Sequence, residues 1–272
     1  MRVSGLFTYP VKGCYRTEHR QLVVEPWGPA GDRRWVIVDA EGVMVTQRQI
    51  PDLVRIKPRA DGPTLHLRAD GHPELCVDCE PGELVDMKVF RDQVRATPVG
   101  EAADAWLSTV LDHKVRLLWL DDPTRRPVQP AFSRPTDRVS LADEFPLLIT
   151  NSASLAWLND AILESDSTSG ESEGPLPMTR FRPNIVTDAG SAWAEDAWLG
   201  RRLHIGAARF RVVKGHGRCI VTTTDQDTGV RGREPLRTLA RFRNVDQSLL
   251  FGVVLIPDEV GLIAIGDEIV VE

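Results

Sequence analysis

The chain has 272 residues, of which 42% are apolar and 26% charged, a composition typical of a folded globular protein rather than a disordered one. Its formal net charge of −6 gives no general attraction to nucleic acid or to an anionic membrane surface, so we expect a small-molecule partner, no nucleic acid and no membrane. The length allows one large domain or two smaller ones, and we start from two intertwined domains.

The N-terminal segment MRVSGLFTYPVKGC has no basic region followed by an apolar stretch, so no secretory signal is visible. No later run approaches the roughly 18 apolar residues of a membrane helix. The four cysteines are Cys14, Cys76, Cys79 and Cys219. This small number indicates reduced thiols, and we predict a cytoplasmic protein with a thiolate available for chemistry.

The first half of the chain is predicted to be rich in short strands. Turn residues recur every 8–12 positions between them, a spacing typical of a small barrel or sandwich. The predicted strands are RVSGLFTYPV, HRQLVVE, RRWVIVDAEG, VMVTQRQ, TLHLRAD, ELCVDCE, LVDMKVF and QVRATPV. Apolar residues at helical spacing then predict a helix over Glu101–Leu111, followed by the strand VRLLWL.

The stretch DDPTRRPVQPAFSRPTD contains four prolines and is predicted to be a linker over 121–138, which separates domains 1–120 and 139–272. The strand FPLLIT, a helix over about Ala153–Leu163 and the surface loop ESDSTSGESEGPLP follow. The remainder is predicted as a short helix at Pro235–Arg243 and the strands FRPNIVT, RLHIGAARFRVV, RCIVTTT, FGVVLI and EIVVE. The fold class is therefore mostly β, of the α+β type.

The segment KGHGRCIVTTTDQDTG carries the strongest chemical signal. Cys219 follows a Gly-His-Gly-Arg turn and precedes an apolar strand, which would place its sulfur at a strand mouth near Arg218 and His216. Nearby positive charge lowers a thiol pKa from its usual value of about 8.5, and the thiolate is a soft metal ligand. A single cysteine is more often a small buried apolar residue, so its surroundings must decide. Basic residues between Arg180 and Arg218 could bind a phosphate-sized anion.

Three separated segments, YPVKGC, FRPNIV at 181–186 and GRCIVTTTDQDTG at 217–229, resemble the signatures of the MOSC family with its N-terminal β-barrel domain. They span nearly the whole chain and are similar to those of the amidoxime-reducing components and their bacterial counterparts. The resemblance implies an N-terminal β-barrel domain packed with a MOSC-type β-barrel that carries a few helices. It also implies a molybdenum-molybdopterin cofactor with Cys219 as its metal ligand.

The resemblance further implies which residues bind the cofactor: Lys12, Gly13, Arg33, Arg182, Asn184, Gly217 and Arg218. Lys and Arg suit the phosphate of the pterin, and Asn184 would supply an amide to the phosphate or the ring edge, whereas Gly217 could act only through its backbone. The alternatives are that Lys12 is a solvated surface residue and that Arg182 and Asn184 tie a loop to a strand.

Several residues depart from the family pattern or allow simpler readings. His216 replaces a smaller residue of many relatives and could deliver protons, or it is a turn histidine bonded to backbone. The DEFP segment at 143–146 leaves only a possible backbone contact, and Asp225 and Asp227 are expected to shape a turn. Cys76 and Cys79 lack the second ligand pair that a closed zinc site needs.

The resulting hypothesis is a molybdenum-dependent reductase, with catalytic residues Cys219 and His216, that removes oxygen from N-hydroxylated compounds such as amidoximes and hydroxylamines. The chain ends at Glu272 without an iron–sulfur cysteine cluster, so a separate ferredoxin-like, flavoprotein or cytochrome donor is expected. The alternative is a non-catalytic carrier of the cofactor or of sulfur. A third reading, a barrel-type binding module without metal, leaves the arginines unexplained.

Overall fold

The computed structural model describes residues 1–169 and 173–272, and strands dominate them. The strands of the first half are β1 Val3–Thr8, β2 Val11–Lys12, β3 Thr17–His19, β4 Gln21–Glu25, β5 Gly28–Pro29, β6 Trp35–Val38, β7 Lys57–Asp61, β8 Thr64–Arg68, β9 Leu75–Asp78, β10 Val85–Val89, β11 Asp92–Pro98 and β12 Arg116–Trp119. Those of the second half are β13 Leu147–Asn151, β14 Ile185–Thr187, β15 Arg202–Ile205, β16 Ala208–Gly217, β17 Asn244–Val245, β18 Ser248–Glu259, β19 Gly261–Ala264 and β20 Ile269–Val271.

Three α-helices accompany these strands in the described part of the chain: α1 Glu101–Leu111, α2 Ser152–Ser169 and α3 Leu236–Phe242. The mostly β, α+β fold class predicted from the sequence is confirmed. Helix α1 has the predicted bounds because its apolar face, with Ala103, Leu107 and Leu111, is buried. No helix in the described ranges combines the length and the hydropathy needed to cross a membrane.

The two halves of the chain share sheets. The largest sheet has the order β20-β15-β16-β18-β13-β14-β1-β3, with β17 paired to β18, so strands from residues 3–19 complete a sheet built from the second half. The other sheets are β10-β11-β12-β6-β2, β19-β4-β5 and β7-β8-β9. The halves are therefore intertwined, while the predicted boundary at 121–138 stays a prediction.

The strand order of each sheet runs from one edge to another without closing into a ring. A single bridge between Arg2 and Glu268 brings the start of β1 close to β20. The barrels expected from the resemblance are thus open sheets among the described residues.

One apolar core lies within the first half, whereas the main core of the second half also includes residues of β1 and β4. Trp35, Leu53 and Leu107 are fully buried in the first half, and Phe210 and Val253 in the second. On β16 the alternating burial of Ala208, Phe210 and Val212 shows the period of two expected for a strand with one face on the core. Apolar packing therefore fixes the direction in which β16 delivers Gly217 and the residues after it.

Three elements differ from the sequence prediction. RCIVTTT is not a strand: Ile220–Thr223 form a 3-10 helix, because the hydroxyls of Thr222 and Thr223 donate to the carbonyls of residues 219 and 220, both at 2.8 Å. VMVTQRQ forms isolated bridges and a turn instead of a strand. Helix α2 continues to Ser169, into the predicted surface loop 164–177, of which 170–172 lie outside the described residues.

Candidate functional site

One cleft between the two halves brings together all nine residues that the sequence predicted for the site. Its empty space, part of it open to solvent, is about 960 Å³. Lys12, Arg33 and Arg48 line the side formed by the first half, called here the N-terminal wall. Arg180, Arg182, Arg218 and Cys219 line the opposite side, called the C-terminal wall. Among the described residues that line the cleft, two carboxylates, Asp143 and Glu144, oppose these six cations, so the cleft favours an anion.

Cys219 lies just beyond the end of β16, where it forms the N-terminal cap position of the 3-10 helix Ile220–Thr223. Its side chain is half-buried. The sulfur stands where the cleft meets a second, wider groove, which is lined in part by His216, Gly217, Cys219 and Leu250. The sequence placed Cys219 directly before a strand, whereas in the structure it follows the end of β16 and precedes a 3-10 helix. A ligand in either space can reach this sulfur.

Arg218 has hydrogen-bonding capacity that the protein leaves unused. Its Nη2 donates to the Phe181 carbonyl, but its buried Nε and Nη1 have no partner among the described residues. Burial lowers the pKa of Arg218 to about 10, which still leaves the guanidinium charged at neutral pH. Buried N–H groups without a partner are costly, so this geometry fits an anionic ligand that would accept from them.

Arg182 is also held by the protein in a defined position. It occupies the left-handed region, with φ 52°, directly after the 3-10 helix Met178–Phe181. Its Nη1 donates to Gln226 Oε1 at 2.9 Å, and Gln226 exchanges two amide hydrogen bonds with Gln47 of the N-terminal half. Burial lowers the pKa of Arg182 to about 10. A neutral partner leaves its positive charge uncompensated, which suits a phosphate contact.

Lys12 and Arg33 on the N-terminal wall have carboxylate partners. Lys12 Nζ donates to the Leu141 carbonyl at 2.8 Å and forms an ion pair with Asp143. Arg33 Nη1 is 2.6 Å from the carboxylate of Asp32, which is fully buried. Lys12 exposes only 9% of its side chain, so the solvated reading is wrong. The side chain of Asp143 in the DEFP segment thus lines the cleft, while a backbone contact of this segment with a ligand stays a prediction.

Asn184 and Gly13 line the cleft, and both stabilise the local structure around it. Asn184 Nδ2 donates to the Phe7 carbonyl at 3.1 Å, and its Oδ1 accepts from Leu148 N at 3.2 Å and Arg33 Nη1 at 3.1 Å. Its amide is therefore engaged in fixing Arg33. Gly13 has φ 85°, and a Cβ there would lie 3.2 Å from Leu53, so the turn that carries Lys12 favours glycine.

His216 and Gly217 line both the cleft and the wider groove. Burial lowers the pKa of His216 and the nearby Arg218 lowers it further, while Asp143 opposes both effects. The imidazole is therefore neutral at physiological pH in the cofactor-free protein. A Cβ on Gly217 would make only an ordinary contact with Ser248 at 3.7 Å, so the backbone does not demand glycine there.

Arg48 is a site residue that the sequence did not reveal. Arg48 lines the cleft together with Cys219, and the interaction with the side chain of Cys219 raises the pKa of Arg48. The residue lies in the turn that replaces the predicted strand VMVTQRQ, and no motif marks it. Asp225 accepts hydrogen bonds from the N–H groups of residues 227 and 228, as predicted, whereas Asp227 accepts from Tyr15 Oη at 2.5 Å and thus joins the two halves.

The other cysteines lie in different environments. Burial raises the pKa of Cys14 to about 12. Cys79 is buried and accepts from Trp35 Nε1 at 3.3 Å, while Cys76 is exposed, with its sulfur 3.9 Å from His66 Nε2. Within 1–169 and 173–272, no group of three or more His, Cys, Asp or Glu side chains is placed to hold a metal ion. Cys219 alone among the four faces the cationic cleft.

Two interwoven β-rich halves thus enclose a cleft that combines a half-buried thiol with a set of partly buried arginines, an arrangement suited to an anionic ligand. Comparison with known proteins identifies the family: residues 1–114 match the MOSC N-terminal beta barrel domain, and residues 136–270 match the MOSC domain. The chain belongs to the MOSC family whose members carry this N-terminal domain.

The relatives carry two kinds of name. The chain is 33% identical to mitochondrial amidoxime-reducing component 1 of Homo sapiens, over 98% of this chain and 82% of that protein. It is 32% identical to the protein of the same name from Xenopus laevis, over 98% of this chain and 81% of that protein. It is also 33% identical to a molybdenum cofactor sulfurase of Danio rerio, where the match covers 93% of this chain but 31% of that protein.

Proposed function

We propose that this protein binds a molybdenum-molybdopterin cofactor and uses it to reduce N-hydroxylated compounds such as amidoximes and hydroxylamines. The observation that carries the proposal is the position of the Nε and Nη1 of Arg218, buried and without a partner within residues 1–169 and 173–272, beside the half-buried thiol of Cys219 in a cleft lined by six cations. The names of the relatives support the same chemistry.

The residues of the cleft fit such a cofactor. The thiolate of Cys219 is a soft ligand of the kind that molybdenum with sulfur ligands accepts. Arg182, Arg218, Lys12 and Arg33 would hold the phosphate and the polar ring edge through charge-assisted hydrogen bonds. Asn184 would act by fixing Arg33 rather than by contacting the cofactor. When bound, the cofactor supplies a two-electron redox centre next to the substrate space.

The overall reaction consumes two electrons and two protons: the N–O bond breaks, the nitrogen product forms and the oxygen leaves as water. The wider groove gives the substrate a path to Cys219 that does not pass the arginines of the C-terminal wall. His216 lines this path, and we assign it the transfer of a proton from one ring nitrogen while the other accepts one. A bound anion would counteract the effect of Arg218 and raise the pKa of His216.

The electrons are proposed to come from a separate donor protein. The four cysteines lie in unrelated environments, and two of them are buried, so these 272 residues offer no ligand set for an iron–sulfur cluster. We further propose that the protein acts on small molecules in the cytoplasm, without nucleic acid or membrane partners. The net charge of −6 is consistent with this proposal.

The test combines a metal analysis with a turnover assay. Protein purified from a molybdenum-replete host should contain molybdenum and release a pterin that fluoresces after oxidation. With reduced viologen it should convert benzamidoxime to benzamidine, whereas NADH alone should support no turnover. Absence of molybdenum and pterin from such protein would overturn the proposal.

The second candidate function is a carrier that binds the cofactor, or a persulfide on Cys219, and transfers it without turnover. The similarity to molybdenum cofactor sulfurases favours it. Molybdenum-loaded protein that reduces no N-hydroxylated substrate with viologen, but activates a cofactor-free molybdoenzyme on mixing, would select this candidate.

A further inference from the structure

Tyr9 contacts both arginines that flank the proposed phosphate site. Its side chain is only 1% exposed, and the guanidinium carbons of Arg33 and Arg182 lie over its ring at 4.3 and 4.1 Å from the ring centroid. An aromatic face carries negative potential and attracts cations within about 6 Å. One buried ring therefore stabilises two like charges that would otherwise repel each other.

The ring itself is fixed at both ends. The Tyr9 hydroxyl donates to the carbonyl of Pro183 at 3.1 Å, and burial raises the pKa of Tyr9 to about 12, so the hydroxyl stays protonated. The Tyr9 N–H donates to Asp32 at 2.7 Å, and the same carboxylate pairs with Arg33. Tyr9 thus joins the turn that carries Arg33 to the turn that carries Arg182.

Both arginines have an unusual backbone conformation. Arg33 has φ 45° and Arg182 has φ 52°, in the left-handed region that residues with a Cβ seldom occupy. Such conformations persist where the surroundings enforce them, and they cluster at ligand sites. Both strained residues direct their side chains over the same ring.

From these contacts we propose that Tyr9 is a positioning residue, which holds Arg33 and Arg182 at the spacing needed to bind one phosphate group between the two halves of the protein. The proposal rests on the proposed function, in which these arginines anchor the cofactor phosphate. Tyr9 acts through the arginines and needs no contact with the phosphate itself.

The experiment measures binding of inorganic phosphate to the cofactor-free 272-residue chain by phosphorus NMR titration, together with the melting temperature of each variant. Tyr9→Leu, which removes the π face but keeps an apolar side chain, should weaken phosphate binding about tenfold, which is close to 1.4 kcal/mol. Tyr9→Phe should stay within about threefold of the parent, because the ring is retained. Tyr15→Leu is the matched control. The guanidinium carbon of Arg16 lies over the Tyr15 ring, 4.4 Å from its centroid, and this pair is outside the cleft, so the variant should bind phosphate like the parent.

A further variant covers the case in which Tyr9→Leu does not fold. Trifluorophenylalanine at position 9 has nearly the shape of phenylalanine but a weakened π face, so its phosphate affinity should fall below that of Tyr9→Phe at an equal melting temperature. Equal affinities of these two aromatic variants would overturn the proposal. If Arg182→Ala weakens binding while the ring variants do not, only the role of Tyr9 fails. If Arg182→Ala and Arg33→Ala bind phosphate like the parent, the phosphate anchor of the proposed function fails.

Discussion

On the N-terminal wall of the cleft, Lys12 and Arg33 are paired with carboxylates, whereas on the C-terminal wall Arg218 has two buried nitrogen atoms without a partner in the described part of the chain. The first arrangement is stable without a ligand, because each buried charge is compensated. The second is costly without a ligand, because buried N–H groups lack an acceptor. Cations of the same cleft therefore differ in how strongly a bound anion would stabilise them.

The difference predicts an order of effects in binding. A ligand that accepts from Arg218 satisfies groups that are already desolvated, whereas a ligand that binds Lys12 must compete with Asp143. We expect the C-terminal wall, which also carries Cys219, to supply most of the affinity for the cofactor. The N-terminal wall would mainly orient it.

The strongest test concerns the thiol of the C-terminal wall. Cys219→Ala should abolish reduction of N-hydroxylated compounds, because no other cysteine faces the cleft. The cost in stability should be about 1 kcal/mol or less, since the side chain is half-buried and fills little core volume. Turnover of benzamidoxime and the melting temperature measure the two effects. Cys76→Ser, at an exposed thiol, is the control and should retain activity; full turnover by the Cys219 variant would refute the ligand role.

The next effect is expected at Arg218. Arg218→Ala should weaken cofactor binding about 10- to 100-fold, because charge-assisted hydrogen bonds contribute roughly 1.5–3 kcal/mol each. The melting temperature of the cofactor-free variant should stay level or rise, since a buried charge with unsatisfied N–H groups is removed. Molybdenum per chain and the melting temperature of cofactor-free samples provide the comparison. A lowered melting temperature with unchanged molybdenum would mean that Arg218 is structural.

We expect substitution of Lys12 or Arg182 to weaken cofactor binding less than Arg218→Ala does. Arg182→Ala and Lys12→Ala should each lower molybdenum per chain, with the smaller loss at Lys12, where the ion pair with Asp143 competes with the phosphate. Lys12→Ala should also lower the melting temperature of the cofactor-free protein, because Asp143 loses its partner. Equal or larger loss of metal in Lys12→Ala than in Arg218→Ala would contradict the difference between the walls.

Local sequence predicted those parts of the structure that local interactions determine. The bounds of α1 follow from its apolar periodicity, and the apolar runs of β18 and β20 indicated these strands, although β18 extends three residues beyond each end of the predicted FGVVLI. The segment RCIVTTT was predicted as a strand because Ile, Val and Thr favour strands, but two of its threonine hydroxyls bond to backbone carbonyls and stabilise a 3-10 helix instead. The prediction from β-strand propensity was wrong there because hydrogen bonds between side chain and backbone outweighed that propensity.

The site could be predicted only where its residues lie in motifs. Lys12, Arg182 and Cys219 belong to three recognisable segments, and folding brings those segments to one cleft. Arg48 and the partnership of Asp143 with Lys12 depend on contacts between distant parts of the chain, and no spacing rule relates them. The division between paired and unpaired cations was therefore visible only in the structure.

The smallest predicted effect is a change in phosphate affinity when the ion pair of Lys12 on the N-terminal wall is removed. Asp143→Asn should release Lys12 and raise the affinity of the cofactor-free protein for inorganic phosphate a few-fold, roughly 0.5–1 kcal/mol. Glu144→Gln is the matched control: it removes the neighbouring carboxylate but frees Lys214, 2.8 Å away, instead of Lys12, so its affinity for phosphate should change less. An equal rise in both variants would show that the net charge of the cleft matters and the pairing of Lys12 does not.

The same variant has a defined dependence on pH. Burial tends to raise the pKa of Asp143, but the charge and hydrogen bond of Lys12 outweigh it and hold this pKa well below its usual range. A carboxyl whose pKa is lower in the folded than in the unfolded chain stabilises the fold fully above the unfolded value, about 4, and loses this contribution as the pH falls towards the folded value. The parent should therefore melt higher than Asp143→Asn at pH 5 to 7. Because Asp143 is half-exposed, with 51% of its side chain accessible, solvent screening keeps the difference to about 1 kcal/mol or less. The difference should start to narrow below about pH 4 and shrink further as the pH falls towards the folded value, and one that persisted unchanged to pH 2 would show that the Lys12 ion pair is not its source.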